Sequence, residues 1–494
     1  MKKIKENIIN IFKSKEIYIF LGVTLIFFGT FFSVQYAPDT YFVFNNSTRE
    51  VVKHFLSCGR IITALFIGGT KGILELSNKS IYMISYIIAI ISSTFAMFES
   101  YKMIKEETNN KLISYIISIL LILNIFSLEL FVYIEKGIMV LSVLLTILAV
   151  KYTKKVLEGN KKSILTVMLI LLLATCCYQG TVGLYIALSL IYIIKYSKKL
   201  GEFVKNNVLV AFLYGVPSLI NFFFSKILFD NTRIVGEKIL LESTSKIIKG
   251  LKTVFIETQQ LFPKYLFLSI MIILVIYIIY KILNKEEKVE IKILEILGIL
   301  YIIVGTIFVT VFPQFLQATN SIWLVARTTY PIASILGILL IYLFMKTKIG
   351  RKEINTIIIL SLIFLTIQLN YFVNFEIDNY KVNYEDMIVS EQIANKIKKY
   401  ENETGKTITK LAFYHDKELG YSYKKIKTSG DMNIKAFSNE WATKDIIKNY
   451  TNKKELEIVN KDIEKEKYFE QKNWDSFNEE QLIFEENTLH ICSY

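Results

Sequence analysis

Apolar runs of membrane-crossing length alternate along this chain with short clusters of lysine and arginine. Runs such as 81–98 and 265–280 approach the roughly 20 helical residues that cross a hydrocarbon core of about 30 Å. The pattern predicts spans at 17–35, 79–99, 112–128, 131–150, 163–178, 180–195, 207–229, 264–282, 292–312, 327–345 and 354–373. Basic clusters lie at 2–15, 102–111, 151–162, 195–205, 281–292 and 346–352. Short lysine-rich loops stay on the cytoplasmic side of a membrane, so they orient every span between them. Segment 60–76 is apolar but broken by Gly68, Gly69, Lys71, Gly72 and Glu75. A full crossing there would put the 102–111 cluster outside. The segment therefore reads as re-entrant or interfacial, a short element tolerated where protein buries it.

The expected fold is an α-helical polytopic membrane protein of about 11 transmembrane helices, N-terminus cytoplasmic, with a C-terminal soluble α+β domain. Residues 1–374 form the membrane domain, with a first external loop at 36–78 and a second at 230–263; residues 375–494 form the extracytoplasmic domain. Ser47-x-x-Glu50 is a capping box that opens a helix in the first loop. On that helix Arg49, Lys53 and Arg60 fall nearly in line, since 11 residues make about three turns. In the second loop, 234–255 interleaves apolar and charged positions at helical spacing and reads as an interfacial helix whose lysines meet headgroups. In the last 120 residues the pattern predicts a helix at 384–399, strands at 409–414, 482–484 and 489–491, and a turn at His415-Asp416.

Composition supports the membrane reading. The chain is 53% hydrophobic and 14% aromatic, with a mean hydropathy of +0.41, outside the soluble range. Its net charge of +14 is uneven: residues 375–494 hold 19 Lys/Arg against 23 Asp/Glu, a net of −4, which leaves +18 for the rest. Lysine-flanked spans facing anionic lipid account for that excess, so the partner is a lipid bilayer and not nucleic acid. The cysteines Cys58, Cys176, Cys177 and Cys492 form no C-x-x-C pair and no zinc-type spacing. The run from Ile17 to Val34 is longer than a secretory h-region and no small-residue cleavage site follows it, so it reads as a retained signal-anchor in the plasma membrane.

Acidic and amide residues gather at one end of the spans, opposite the lysine clusters: Asp39, Glu129, Glu135, Gln179, Asp230, Glu257 and Gln314, together with Arg327. Asp39 follows Pro38 at the membrane boundary, where it is placed to take a proton from an attacking hydroxyl; the plain alternative is a solvated helix-end carboxylate. Arg49, Lys53 and Arg60 suit an anionic headgroup, arginine through its fork of donors. Glu129 and Glu135 flank a tight external hairpin, and acidic residues gain little as topology signals, so they join Asp39 as candidates for the chemistry. Tyr178-Gln179 occupy the next hairpin as candidate substrate contacts, and Arg327 opens a late span as a second phosphate ligand or as the ion-pair partner of Glu129 or Glu135.

Asp39 after the first span, Ser57-x-Gly59-Arg60, Tyr178-Gln179, Arg327 and the soluble tail together resemble the Gtr-type (type II) O-antigen glucosyltransferases, which are similar to the GT-C membrane glycosyltransferases. The resemblance implies inverting transfer of a sugar, usually glucose, from a polyprenyl-phosphate sugar donor to a cell-surface glycan acceptor on the outer face. It puts Asp39 in the general-base position and Arg60 and Arg327 beside the phosphate. The family often shows paired acidic residues where this chain has Asp39 alone between Pro38 and Thr40. No metal ligand is assigned for that reason, and a divalent cation cofactor stays open. The rival class is a transporter or flippase for lipid-linked sugars, which would place polar residues near mid-membrane on broken helices. A polymerase or ligase on the same face is a third reading.

Overall fold

The computed structural model describes residues 14–229, 239–415, 426–430, 432–438, 440–453, 455–470, 472, 474 and 477–493. It divides into two compact units. The first takes its described residues from Met1–Phe32, Val52–Phe131 and Glu135–Phe372, the second from Ser33–Val51, Val132–Ile134 and Val373–Tyr494. Asp230 and the start of the predicted 234–255 helix lie outside the described residues, as does Asp416.

A segment crossing hydrocarbon must satisfy its own peptide groups, and a helix is the one single-segment solution. The first unit is helical accordingly. In chain order the helices of the two units begin with α1 (Lys15–Phe28). Helices α2 (Pro38–Asn45) and α3 (Thr48–Ser57) follow in the loop after it. Next come α4 (Ile61–Ile67), α5 (Asn78–Thr108), α6 (Lys111–Ile122) and α7 (Lys136–Leu157). The middle of the chain forms α8 (Ser163–Cys177), α9 (Gln179–Lys195), α10 (Leu200–Phe229) and α11 (Leu240–Lys252). The last are α12 (Leu266–Leu283), α13 (Val289–Phe315), α14 (Tyr330–Ala333), α15 (Ile335–Lys346) and α16 (Arg351–Thr404).

Among the described residues, seven helices are long and apolar enough to cross a membrane: α1 with its extension to Phe32, α5, α7, α10, α12, α13 and α16. Helices α6, α8, α9 and α15 fall on the other predicted spans but are shorter. Helix α12 leaves Ile272, Ile273 and Ile276 exposed, and α13 leaves Leu297, Leu300 and Val304 exposed. Contiguous apolar faces of this kind belong against lipid. Helices α5 and α7 are instead mostly buried. They approach so closely that a Cβ on Gly137 would sit 2.5 Å from the Ser85 carbonyl, the small-residue contact of membrane helices.

Helix α6 stops at Ile122, six residues before the predicted end of its span, and α7 starts at Lys136, five residues after its predicted start. The segment between them is buried but not α-helical, with a 3-10 turn at Ser127–Phe131. Side chains replace the lost helix bonds. Tyr330 donates its hydroxyl to the Ile122 carbonyl at 2.8 Å, Ser334 to the Leu121 carbonyl at 3.0 Å, and Gln368 its amide to the Leu123 carbonyl at 2.6 Å. Asn124 donates to Ser334 Oγ at 2.9 Å and accepts from the Phe126 N–H at 2.9 Å. The predicted tight hairpin is thus a longer buried loop, because Asn124 offers its neighbours an alternative to the helix ladder.

Acidic residues are not confined to one end: Glu99 pairs with Lys151 at 2.7 Å, Glu107 with Lys195 at 2.6 Å, and Glu295 with Lys285 at 2.6 Å, all beside the lysine clusters. These carboxylates lock α5, α7, α9 and α13 where lysines converge. The helix predicted to start at 327 instead begins after a 3-10 turn at Ala326–Thr328, because Pro331 supports a new helix start.

The second unit holds a four-stranded sheet of β1 (Lys410–His415), β2 (Glu457–Ile458), β3 (Leu482–Glu485) and β4 (Thr488–Ser493). Its order is β2-β1-β4-β3, with β1 parallel to β2 and β4, and β3 antiparallel to β4. His415, predicted as a turn residue, ends β1 in register with Ser493. The predicted 384–399 helix is part of α16, which runs unbroken for 54 residues. Its Val389, Ile393 and Ile397 pack with Leu411, Phe413, Ile446, Leu489 and Ile491 in one core. Tyr41 of α2 belongs to the same core, and Asn45 donates to the Asp445 carbonyl at 2.8 Å. The start of the first loop, Ser33–Val51, is therefore part of this unit.

Asp386, in the part of α16 beyond the apolar stretch 354–373, is buried and accepts the Ala436 N–H at 2.8 Å. Burial pushes its carboxyl up to about 7, against the opposing pull of that N–H and of Lys435. The unfolded chain releases this proton near pH 4. The folded chain keeps it to about 7, so stability is full below pH 4 and falls as pH rises toward 7, by at most about 4 kcal/mol. Urea unfolding followed through Trp441 and Trp474, in a Trp323→Phe background, should show that decline while Asp386 is present. Asp386→Asn should flatten it.

Candidate charged site of the membrane unit

Helix α3 ends in a Schellman turn: the Gly59 N–H bonds to the Leu56 carbonyl and the Arg60 N–H to the Phe55 carbonyl, both at 2.9 Å. Gly59 takes φ +71°, the left-handed conformation this cap requires. The turn throws Arg60 off the helix, so Arg49, Lys53 and Arg60 do not share one face. Arg49 and Lys53 remain exposed on α3, while Arg60 opens α4.

The Arg60 guanidinium meets the Glu135 carboxylate at 3.1 Å, with side chains 12% and 7% exposed. It also lies 4.9 Å from the centre of the Tyr178 ring, within cation–π range. Gln179 donates its amide to the Cys58 and Gly59 carbonyls at 3.1 and 3.0 Å, so it fixes the turn that presents Arg60. Glu135 occupies the cap position of α7 without capping it.

A second pair lies in the same unit. Glu129, in the 3-10 turn after α6, is fully buried. It accepts the Arg327 backbone N–H at 2.6 Å and the guanidinium at 3.3 Å. Gly180 links the two pairs, because a Cβ there would lie 2.6 Å from the Tyr178 ring and 3.0 Å from the Arg327 carbonyl. Arg60 and Arg327 thus each already have a glutamate as counter-charge.

Sequence reasoning missed Lys136, the first residue of α7. It is fully buried, its Nζ makes no hydrogen bond among the described residues, and it sits 3.5 Å from the centre of the Tyr82 ring and 5.4 Å from that of Phe31. A lysine at a helix N-terminus opposes the helix dipole, and a buried ammonium is costly without an anion. The signal was visible: a lysine beside Glu135, away from every lysine cluster. The site therefore combines two arginines and a lysine with two glutamates. Lys136 and Lys151 stand about 22 Å apart along α7, which puts the site and the lysine clusters at opposite ends of the helix.

Also unforeseen is a clamp on residues 323–325. The Trp323 N–H donates to Gln314 Oε1 at 3.2 Å, its carbonyl accepts from the Thr328 hydroxyl at 3.1 Å, and the Leu324 carbonyl accepts from Gln259 at 2.9 Å. Gln259 lies in a run of three left-handed non-glycine residues, Thr258, Gln259 and Gln260, at φ +49°, +53° and +61°. Each costs about 1–2 kcal/mol, so tertiary contacts must hold the turn.

Asp39 belongs to the second unit, in the first turn of α2 and half-buried behind Pro38. Among the described residues no three of His, Cys, Asp and Glu converge as a metal-ligand set.

Replacing Glu129 by Gln leaves Arg327 buried opposite a neutral amide, which should lower stability by about 3–5 kcal/mol. Glu135→Gln should have a smaller effect, since Arg60 is less enclosed. Thermal unfolding in detergent, comparing both variants with the Glu129→Leu/Arg327→Met pair, checks this; the pair should recover much of the loss.

Comparison with known proteins finds no matching family model, no matching curated protein and no matching solved structure, so any functional reading rests on these residues.

Proposed function

We propose that the chain is a polyprenyl-phosphate-sugar-dependent hexosyltransferase of the plasma membrane. It moves a sugar, glucose by the Gtr-type resemblance, to a cell-surface glycan on the non-cytoplasmic face, with inversion. The same reading takes α6, α8, α9 and α15 as short spans, for about 11 crossings with the N-terminus inside and residues 375–494 outside.

The observation that carries the proposal is the group of basic side chains at this end of the helices: Arg60 and Arg327, each on a glutamate, and the fully buried Lys136. A polyprenyl-phosphate leaving group gathers negative charge on its oxygens as the glycosidic bond breaks, and fixed cations in a water-poor site stabilise that charge without a strong acid. The arginines are held by their glutamates and the Gln179 turn, so they need little reorganisation. Lys136, whose amine no carboxylate hydrogen-bonds, is the group that an incoming phosphate would hold in its charged form. Asp39 remains the proposed general base, carried by α2, and takes the proton of the acceptor hydroxyl as it attacks the sugar carbon.

One observation favours the transporter reading. Helix α6 breaks at Ile122, and the short α14 is offset from α15 at Ser334, leaving buried non-helical backbone of the kind transporters use around substrate sites. The charged groups favour the enzyme, since Glu129 and Arg327 lie in turns between helices and Lys136 at a helix end, not along uninterrupted spans.

Membranes containing the chain, given labelled polyprenyl-phosphate glucose and an acceptor glycan, should move the label to the glycan. Asp39→Asn should lower that rate by about 10²–10⁴-fold at unchanged protein level. Label that crosses the bilayer still attached to its lipid would favour the transporter.

A further inference from the structure

We infer that Trp323 is a stacking platform for the pyranose ring of a substrate, an assignment that rests on the glycosyltransferase reading above. The residue is 47% exposed, yet its backbone is fixed from three sides. Gln314 takes the Trp323 N–H, Thr328 caps the Trp323 carbonyl, and Gln259 holds the Leu324 carbonyl. Gln259 and Gln314 are both buried. A tryptophan that only marks the membrane interface needs no such support, because its place is set by the headgroup layer and not by its backbone. Here a strained left-handed turn is maintained and one of its amides is spent on holding the segment that presents the ring. Supporting a binding side chain through a second layer of hydrogen bonds is how recognition sites are made rigid, and strained turns cluster at such sites.

The neighbourhood indicates the ligand. The Arg327 guanidinium lies 5.6 Å from the centre of the Trp323 ring, and Arg327 is bound to Glu129 in the charged site. An indole face attracts the polarised C–H groups of a sugar ring through its electron-rich quadrupole. The cations beyond it attract phosphate. A ligand with a pyranose next to a phosphate matches both features at once. The acceptor glycan offers the same ring chemistry without the phosphate.

The test uses the full chain in lipid nanodiscs with Trp441→Phe and Trp474→Phe, which leaves Trp323 as the sole tryptophan of the three. Polyprenyl-phosphate glucose, polyprenyl phosphate without sugar, and a glucose oligosaccharide are titrated separately. A saturable fluorescence change with a sugar-bearing ligand, absent with the bare lipid phosphate, is the expected result. The responding arm tells donor sugar from acceptor sugar. With labelled ligand, Trp323→Ala should weaken binding about tenfold and Trp323→Phe less than about threefold. An equal response to bare lipid phosphate overturns the assignment. So does silence toward every sugar ligand combined with strong quenching by brominated lipid, and so does unchanged binding to Trp323→Ala. Transfer activity with a silent Trp323 would sink the platform alone, whereas a sugar response without transfer would keep the platform and sink the transferase reading.

Discussion

Inside a bilayer no water is at hand for a free peptide group, and this one constraint shapes the membrane unit. Most segments meet it by running as helices. The exception lies after Ile122, where the ladder breaks and three successive carbonyls lose their helical partners. Tyr330, Ser334 and Gln368 supply the missing donors, and Asn124 supports the loop that follows. With those bonds made, the buried break after α6, which leads into the 3-10 turn at Ser127–Phe131, is tolerated. That segment carries Glu129 to Arg327. The charged site exists because side chains from elsewhere in the sequence repair a helix break.

The charges follow the same logic of internal satisfaction. Glu129 and Glu135 each neutralise one arginine, and the lysines near Glu99, Glu107 and Glu295 are treated alike at the other end of the helices. Lys136 breaks the pattern. It is buried on the ring of Tyr82, where cation–π attraction offsets part of its desolvation, worth about 2 kcal/mol or more when water is excluded. That is less than a buried ammonium loses. An incoming anion would make up the difference, which is why this lysine weighs more in the functional reading than either paired arginine.

Much of the fold was legible in the sequence because its signals are local. Apolar runs found the long helices, Ser47 and Glu50 found the start of α3, and short apolar and aromatic runs found β1, β3 and β4. What escaped depended on distant partners. Asn124 reads as one more polar residue in an apolar run unless Ser334 and Phe126 are known to meet it. Gly59 did carry a local signal, a glycine after the last helical turn, and heeding it would have kept Arg60 off the face shared by Arg49 and Lys53. The pairing of Arg327 with Glu129, 198 residues apart, was legible only as one of two ion pairs, with Glu129 or Glu135, because the three residues sit at the same end of their spans. No local trace marks the fold of the start of the first loop with the last 120 residues, where Tyr41 enters a core built mainly from residues 389–491.

The central claim is that an anion completes the buried site at Lys136, and binding of polyprenyl phosphate without its sugar tests it most directly. Methionine keeps the length and apolar contacts of the lysine stem while removing its charge. Purified chain in nanodiscs should bind the lipid phosphate in a salt-sensitive manner, and Lys136→Met should weaken that binding at least about tenfold while the thermal midpoint holds or rises. Equal binding by the native chain and Lys136→Met, with both folded, would contradict the account and leave Lys136 as a structural cation resting on Tyr82.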